Sequence, residues 1–184
     1  MFTRNAMRFT VAVSLAALAA LAARSAAAQE GPGLGVPITA EDLSPWDISI
    51  QPDGTGLPPG SGNAATGAEL YAAQCVACHG AGGAGQPNDR LVGGQGTLSQ
   101  LAQVRTIGSF WPYASTVFDY IRRAMPFHAP QSLSNDQVYA LTAYLLAENG
   151  IIAKNAKLDA RSLARVRMPN RDGFIMAYPE RTDR

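Results

Sequence analysis

The most reactive side chains of this sequence lie together in the stretch QCVACHGAGG, residues 74–83. It contains both cysteines of the chain, Cys75 and Cys78, and one of its two histidines, His79. On a helix, residues three positions apart lie on one side and about one turn apart. Two thiols and an imidazole in that arrangement can do redox chemistry, bind a metal ion, or hold a prosthetic group by covalent bonds.

The spacing C-x-x-C-H is the attachment signature of c-type haem. Both sulfurs can form thioethers to the vinyl groups of one haem, and the His79 imidazole can then reach its iron. Three alternatives use the same residues: a dithiol redox site, a plain disulfide, and a structural zinc site with His128 as second imidazole. A dithiol site expects a βαβ context, which the sequence lacks, and a disulfide leaves His79 unexplained. The motif therefore predicts one covalent haem c.

An electron carrier needs a second axial ligand on its iron, and Met or His usually supplies it. Met125 lies in the stretch RRAMPFHAP, between two predicted helices, where Pro126 and Pro130 stiffen the chain. A stiff segment can hold a thioether on the iron through each redox cycle. Met125 is therefore the predicted ligand. His128 is the alternative, and Met168, beyond the last predicted helix, is the third candidate.

The haem propionates are expected to meet polar groups near the aromatic run FWPY. The Trp111 N–H and Tyr113 O–H are candidate donors, because buried aromatic side chains need partners for their polar atoms. The guanidinium groups of Arg90, Arg122 and Arg123 are candidate positive charges for the same carboxylates. Core packing of the aromatics and solvation of the arginines are the alternative interpretation.

Residues 1–28 have the pattern of a secretory signal peptide. Arg4 and Arg8 precede an apolar run over residues 9–23, and an A-x-A cleavage site ends at Ala28. The run has 15 residues, whereas a membrane span needs about 20, so a transmembrane anchor is the weaker interpretation. We therefore expect a cleaved protein in the periplasm, without a membrane span. Haem is attached after export, so the signal peptide and the C-x-x-C-H motif support each other.

The charge of the cleaved chain gives no reason to expect nucleic-acid binding. Without residues 1–28 it has 12 basic and 14 acidic side chains, a net charge of −2. The balance is uneven, because residues 29–153 carry 4 basic and 10 acidic side chains and residues 154–184 carry 8 and 4.

Composition and periodicity divide the cleaved chain into three segments: a Gly/Pro-rich N-terminal arm (29–63), a compact domain (64–152) and a basic C-terminal extension (153–184). The compact domain is predicted to be all-α, because its apolar residues recur at helical spacing and no stretch alternates as a strand does. The clearest helix starts at a capping box of Ser134 and Gln137. Both flanks carry apolar residues without a periodic stripe, so we expect them to become ordered only on a partner.

The stretches GAELYAAQCVACHG, MPF and DQVYALTAYLLAENG together resemble the class I c-type cytochromes over about residues 64–152. The resemblance implies a few helices around one haem, with the first and last helices crossing near Tyr71 and Tyr144. One feature departs from the family. A Pro-Leu pair usually follows the haem motif, and its backbone carbonyl accepts from the proximal histidine, but here Pro87 and Leu91 are separated. The acceptor of the His79 N–H is therefore left open.

The stretches WDISIQPDGTGLPPGSG, RLVGG, TIGSFWPYASTVFDYIRRAMPF and MPNRDGF resemble the cytochrome subunits of periplasmic sulfur-oxidising molybdenum dehydrogenases. Both the SoxD type, from sulfane dehydrogenase, and the sulfite dehydrogenase type fit. The resemblance implies an electron-transfer subunit that is not an enzyme by itself. It would accept electrons from a molybdenum-cofactor subunit, which the arm and tail wrap, and pass them to a downstream acceptor. A cytochrome for another dehydrogenase and a haem enzyme or sensor with an open axial site are the alternatives.

Overall fold

The computed structural model describes residues 34–175 and 177–178, so the predicted signal peptide lies outside the described residues. The chain divides into two compact units, Met1–Asp47 and Ile48–Arg184. In the first unit, a short helix, α1 (Ala40–Leu43), begins at a capping box between Thr39 and Asp42. Within the described part of the chain, no helix has the length and apolar character that crossing a membrane requires.

The second unit is mainly helical. Its helices are α2 (Ala64–Gln74), α3 (Val76–His79), α4 (Ala114–Ala124), α5 (Asn135–Glu148) and α6 (Ala160–Ala164), and a 3-10 turn (Ala81–Gly83) follows α3. Two short strands, β1 (Ser61–Asn63) and β2 (Lys157–Asp159), pair antiparallel with Gly62 opposite Leu158. The predicted all-α, cytochrome-like fold is confirmed. The sequence did not predict the pair of strands β1 and β2, because three residues per strand are too few for an alternating pattern.

The longest helix, α5, starts where the sequence predicts. The Ser134 hydroxyl accepts from the Gln137 N–H, and the Gln137 side chain accepts from the Ser134 N–H, which completes the capping box. The helix ends before Gly150, which has a positive φ of 69°. Its predicted apolar residues, Val138, Leu141 and Leu145, are all buried, so α5 forms the centre of the core.

The first and last long helices, α2 and α5, cross at Gly67. A Cβ atom at this position would overlap the backbone carbonyl of Ala140, so only glycine allows the two helices to approach this closely. Beside the crossing, the rings of Tyr71 and Tyr144 have their centroids 5.0 Å apart. The predicted crossing near these two tyrosines is confirmed.

The N-terminal flank packs on the helices from Ile48 onward. The Ser115 hydroxyl donates to the Pro52 carbonyl at 3.0 Å, and the buried Tyr139 donates its hydroxyl to the Pro58 carbonyl at 2.9 Å. The expectation that this flank orders only on a partner is therefore wrong for residues 48–62. The flank makes these contacts through its backbone carbonyls. Because every residue has a backbone carbonyl, such contacts leave no periodic pattern in the sequence.

The C-terminal flank contributes to the core as well. Leu158 of β2, Leu163 of α6 and Met168 have exposed fractions of 3%, 0% and 1%. Leu158 lies in a strand, Leu163 in a helix and Met168 in the loop after that helix, so these residues show no common period. The expectation that this flank orders only on a partner is therefore also wrong for residues 157–168. The exact boundaries of the predicted segments, at residues 63 and 152, stay a prediction.

Candidate haem site

A cavity of about 560 Å³ lies among α2, α3, α4, α5 and the loops that join them. Its walls are mostly apolar. The aliphatic lining residues are Leu91, Ile107, Val117, Ile121, Leu133, Leu141 and Leu145. They belong to, or pack against, the same core that holds the helices together. A flat, largely apolar prosthetic group is the kind of ligand that such walls suit.

All three residues of the C-x-x-C-H motif line this cavity. Cys75 ends α2 and departs from helical geometry, with φ −122° and ψ −32°, and α3 then carries Cys78 and His79. The Cys78 N–H donates to the Cys75 carbonyl at 3.1 Å, which keeps the two cysteines one turn apart. No disulfide joins Cys75 and Cys78. Two thiols on one wall are the arrangement that attachment to one haem requires.

The Cys75 thiol is unsuited to dithiol redox chemistry. Burial raises its pKa to about 11, and the neighbouring Cys78 adds to the increase. Redox-active cysteines usually have a lowered thiol pKa, because the thiolate is the nucleophile. The zinc alternative also lacks support. Among residues 34–175 and 177–178, no group of three or more His, Cys, Asp and Glu side chains is placed to hold a metal ion.

The structure provides the acceptor for the His79 N–H that the sequence left open. The imidazole Nδ1 lies 3.0 Å from the backbone carbonyl oxygen of Asp89. A carbonyl can only accept, so Nδ1 carries the proton and Nε2 keeps its lone pair for a metal ion. The loop is fixed by the Asn88 N–H, which donates to the Cys78 carbonyl at 2.8 Å. Sequence reasoning missed Asp89 because any residue can present a backbone carbonyl.

Met125 lies in the same cavity as His79. It directly follows α4, at the C-cap position, and it is partly buried against the core. His128 also lines the cavity but is exposed, whereas Met168 is buried in the core and does not line it. A thioether in apolar surroundings is the better placed second ligand. Met125 therefore stays the predicted ligand, ahead of the other two candidates.

Of the five residues predicted to contact the propionates, two lie at the cavity and three do not. Arg90 and Trp111 line the cavity, whereas Tyr113, Arg122 and Arg123 do not. The structure therefore does not place these three residues where they could contact haem propionates in the cavity.

Arg123 and Tyr113 are engaged outside the cavity. Arg123 forms an ion pair with Asp119 at 2.8 Å and donates to the Ile48 carbonyl at 2.9 Å. The Arg171 guanidinium lies 4.1 Å from the centroid of the Tyr113 ring. Helical spacing places Arg123 one turn after Asp119, so this pairing was open to prediction, whereas the contact with Arg171 joins distant parts of the chain.

Arg105 is a cavity residue that the sequence reasoning did not select. Its guanidinium lies 5.1 Å from the centroid of the Phe110 ring and donates to the Gln103 side chain at 3.0 Å. The aromatic run FWPY, five residues later, was the signal that could have pointed to it. Arg90 and Arg105 are therefore the cationic side chains available to carboxylates in the cavity.

The residues of this cavity fit a covalent haem. Cys75 and Cys78 would hold it, and the Nε2 atom of His79 and the sulfur of Met125 would ligate its iron. When bound, haem supplies a one-electron couple between ferric and ferrous iron. Arg90 and Arg105 would balance the charge of the propionates.

Comparisons with known proteins agree with this site. The family model described as cytochrome c oxidase, cbb3-type, subunit III, matches residues 62–145. The crystal structure of the sulfane dehydrogenase SoxCD from Paracoccus pantotrophus matches with 45% sequence identity and a TM-score of 0.75, covering 81% of this chain and 72% of that chain. The comparison with curated proteins gave no match. The chain therefore belongs to the class I c-type cytochromes, in the SoxD-like family of cytochrome subunits.

Proposed function

We propose that this protein is the periplasmic electron-transfer subunit of a sulfane-oxidising molybdenum dehydrogenase. Membership of the c-type cytochromes makes it an electron-transfer protein with haem c. The proposal adds that it holds one haem, accepts electrons from a molybdenum-cofactor subunit and passes them to a downstream acceptor. The observation that carries it is the match to sulfane dehydrogenase SoxCD at 45% identity.

The extent of that match supports a shared partner. The match covers 81% of the 184 residues, which is about 149 residues, whereas the haem domain matched by the family model spans 84. The second unit of the chain, residues 48–184, has 137 residues, so at least about 12 matched residues precede Ile48. A cytochrome for an unrelated dehydrogenase would need only the haem domain. Similarity that extends into the N-terminal arm therefore supports the same class of catalytic subunit.

The N-terminal arm has the surface of a contact segment. Leu34, Val36 and Trp46 have exposed fractions of 86%, 85% and 83%. Exposed apolar residues at this density mark protein contacts, and aromatic residues among them often dominate the binding energy. We assign the arm to the interface with the molybdenum subunit. The packed residues 157–168 belong to the haem unit instead.

The chain offers a short path between the cavity and a redox partner. Tyr120 and Phe127 both line the cavity, and their exposed fractions are 50% and 84%. The edge of the Trp111 ring meets the Tyr120 ring, with centroids 5.7 Å apart. Tyr120 and Phe127 are the exposed aromatic side chains of the cavity wall, so a partner can touch them directly.

The proposal is tested by electron transfer within a purified complex. The exported cytochrome is produced together with a candidate molybdenum-cofactor subunit, and reduction of the ferric form is followed by stopped-flow absorbance. We expect rapid reduction with an organic persulfide as sulfane-sulfur donor and none with sulfite. Omission of the molybdenum subunit should abolish the reduction.

Two outcomes would contradict the proposal in different ways. Reduction by sulfite alone would make the catalytic partner a sulfite dehydrogenase. Failure of the two chains to form a complex would point to a cytochrome for another dehydrogenase. A chain with Trp46→Ala and Val36→Ala tests the assignment of the arm to the interface. It should keep the haem spectrum while its recovery in the complex falls about tenfold or more. Sequencing the N-terminus of the periplasmic protein tests cleavage after Ala28.

A further inference from the structure

Asn149, just after α5, has a buried side-chain amide that bonds a loop as well as its own helix. The residue is 8% exposed. Its Nδ2 donates to the Leu145 carbonyl at 2.8 Å and to the Leu91 carbonyl at 3.2 Å, and its Oδ1 accepts from the Gly93 N–H at 3.0 Å. Its backbone carbonyl accepts from the Gln95 side chain at 3.1 Å. A buried amide with all its groups paired holds its partners in fixed positions.

The loop held by Asn149 begins at the acceptor of His79. Leu91 and Gly93 follow Asp89 by two and four residues, and no regular element lies between residues 84 and 113. Backbone hydrogen bonds fix part of this loop, because the Leu91 and Val92 N–H groups donate to the Gly83 carbonyl at 2.9 and 3.2 Å. The Asn149 amide adds the side-chain hydrogen bonds that join the loop to the end of α5. Leu91 also lines the cavity, so a shift of the loop would move the cavity wall and the Asp89 carbonyl together.

We propose that Asn149 is a positioning residue for the proximal ligand. It anchors the loop of residues 89–95 to the end of α5, so that the Asp89 carbonyl stays within hydrogen-bond distance of the His79 Nδ1. This inference rests on the proposed iron ligation by His79. A hydrogen bond at Nδ1 makes an imidazole a more basic ligand. A more basic ligand favours ferric iron, so Asn149 holds the reduction potential down.

The test compares two asparagines on the same helix. Asn149→Ala removes the anchor of the loop. Asn135→Ala removes an amide at the opposite end of α5, where its Nδ2 donates to the Pro59 carbonyl at 3.2 Å, away from the cavity. Both haem-loaded proteins are studied by potentiometric titration and by proton NMR of the His79 ring N–H.

We expect Asn149→Ala to raise the reduction potential and to speed solvent exchange of the His79 ring N–H, whereas Asn135→Ala changes neither. An unchanged potential and exchange rate in folded, haem-loaded Asn149→Ala would overturn the inference. Equal changes in both variants would also overturn it, because they would reflect a general loss of stability.

A gentler variant keeps the test decisive if Asn149→Ala does not fold. Gln95 is exposed, and Gln95→Ala removes its hydrogen bonds to the backbone carbonyl and the Oδ1 of Asn149 while leaving the Asn149 side chain in place. It should shift both readouts in the same direction and by less, and no shift would reject the inference. Failure of the proposed His79 ligation is distinguishable, because the wild-type protein would then lack covalent haem or histidine ligation in the same spectra. Failure of the proposed dehydrogenase partner would affect neither readout.

Discussion

At the scale of single residues, the cavity brings together one imidazole and one thioether. The Asp89 carbonyl fixes the tautomer of His79, so the unprotonated nitrogen is the one available to iron. Met125 lies in the same cavity, on the segment that follows α4. A soft thioether favours ferrous iron, whereas a hydrogen-bonded imidazole favours ferric iron. The two residues therefore act on the potential in opposite directions.

Met125→Ala should leave haem attached while removing the sulfur ligand. We expect five-coordinate or water-ligated iron, and a lower reduction potential because the thioether no longer favours the ferrous state. Visible absorption of the ferric protein and potentiometric titration measure both effects.

Two control variants decide between the candidate ligands. His128→Ala changes the exposed alternative ligand of the cavity, and Met168→Leu changes a buried methionine that does not line it. Neither should alter the ferric spectrum. A wild-type spectrum in Met125→Ala, together with a changed one in His128→Ala, would transfer the ligand role to His128.

At this scale, the sequence identified candidate site residues where the type and spacing of side chains form a recognisable motif. Residue type, spacing and the flanking prolines selected C-x-x-C-H and Met125, and all of these residues line one cavity. The Asp89 carbonyl and the cavity position of Arg105 were not predicted, because a backbone group has no signature and Arg105 reaches the cavity only through loop geometry. Arg122 and Arg123 were selected by charge alone, which does not say which face of α4 they occupy.

At the scale of elements, the crossing of α2 and α5 determines where the haem motif lies. Gly67 allows close contact with the Ala140 backbone, and the motif follows at the end of α2. The Tyr71 hydroxyl donates to the Gly80 carbonyl at 2.9 Å, which ties the crossing to the residue after His79. The packing of the two helices therefore reaches the cavity directly.

Gly67→Ala should force the two helices apart. The added methyl group would overlap the Ala140 carbonyl, so the helix backbones must move, and we expect a loss of about 1–3 kcal/mol in the free energy of unfolding. Guanidinium unfolding of the haem-loaded protein measures it. Ala65→Ser, on the exposed face of the same helix, is the control and should change stability by less than about 0.5 kcal/mol. Equal stability of Gly67→Ala and wild type would show that the crossing is loosely packed.

Tyr139 of α5 links stability to alkaline pH. Burial raises the pKa of its hydroxyl to about 12, and the Asp159 carboxylate adds to the increase. The unfolded side chain titrates near 10, so the folded state holds the proton more tightly. Its contribution to stability is complete below pH 10 and is lost as the pH rises through about 12.

We expect wild type to lose stability more steeply than Tyr139→Phe between pH 10 and 12. Urea unfolding at several pH values measures the two slopes. At neutral pH the variant should be less stable by about 1 kcal/mol, because the hydrogen bond to the Pro58 carbonyl is lost. Parallel pH profiles for the two proteins would contradict a buried, protonated Tyr139.

At the scale of the whole molecule, parts of both flanks, residues 48–62 and 157–168, belong to the folded unit of the haem domain. β1 and β2 pair residues almost a hundred positions apart, and Leu163 and Met168 lie in the core. Periodicity found the long helices because each repeats its apolar residues within one element. It missed the flanks because their buried residues come one at a time from different elements.

Truncation should separate the structural part of the C-terminal flank from its exposed end. A chain that ends at Ile152 loses the buried Leu158, Leu163 and Met168, and we expect its free energy of unfolding to fall by more than about 3 kcal/mol. A chain that ends at Gly173 keeps them and should unfold like wild type. Calorimetry of the haem-loaded proteins compares the three chains. Similar stability of the shortest chain would mean that residues 157–168 cover the core without supporting it.

The central claim is that this cavity holds one covalent haem through Cys75 and Cys78. The most direct test is the intact mass of the exported protein, measured under denaturing conditions. The account predicts the mass of the cleaved chain plus one haem, and a mass without haem when both cysteines are replaced by alanine. A wild-type mass equal to the chain alone, or to the chain less the two hydrogens lost on forming a disulfide, would contradict it.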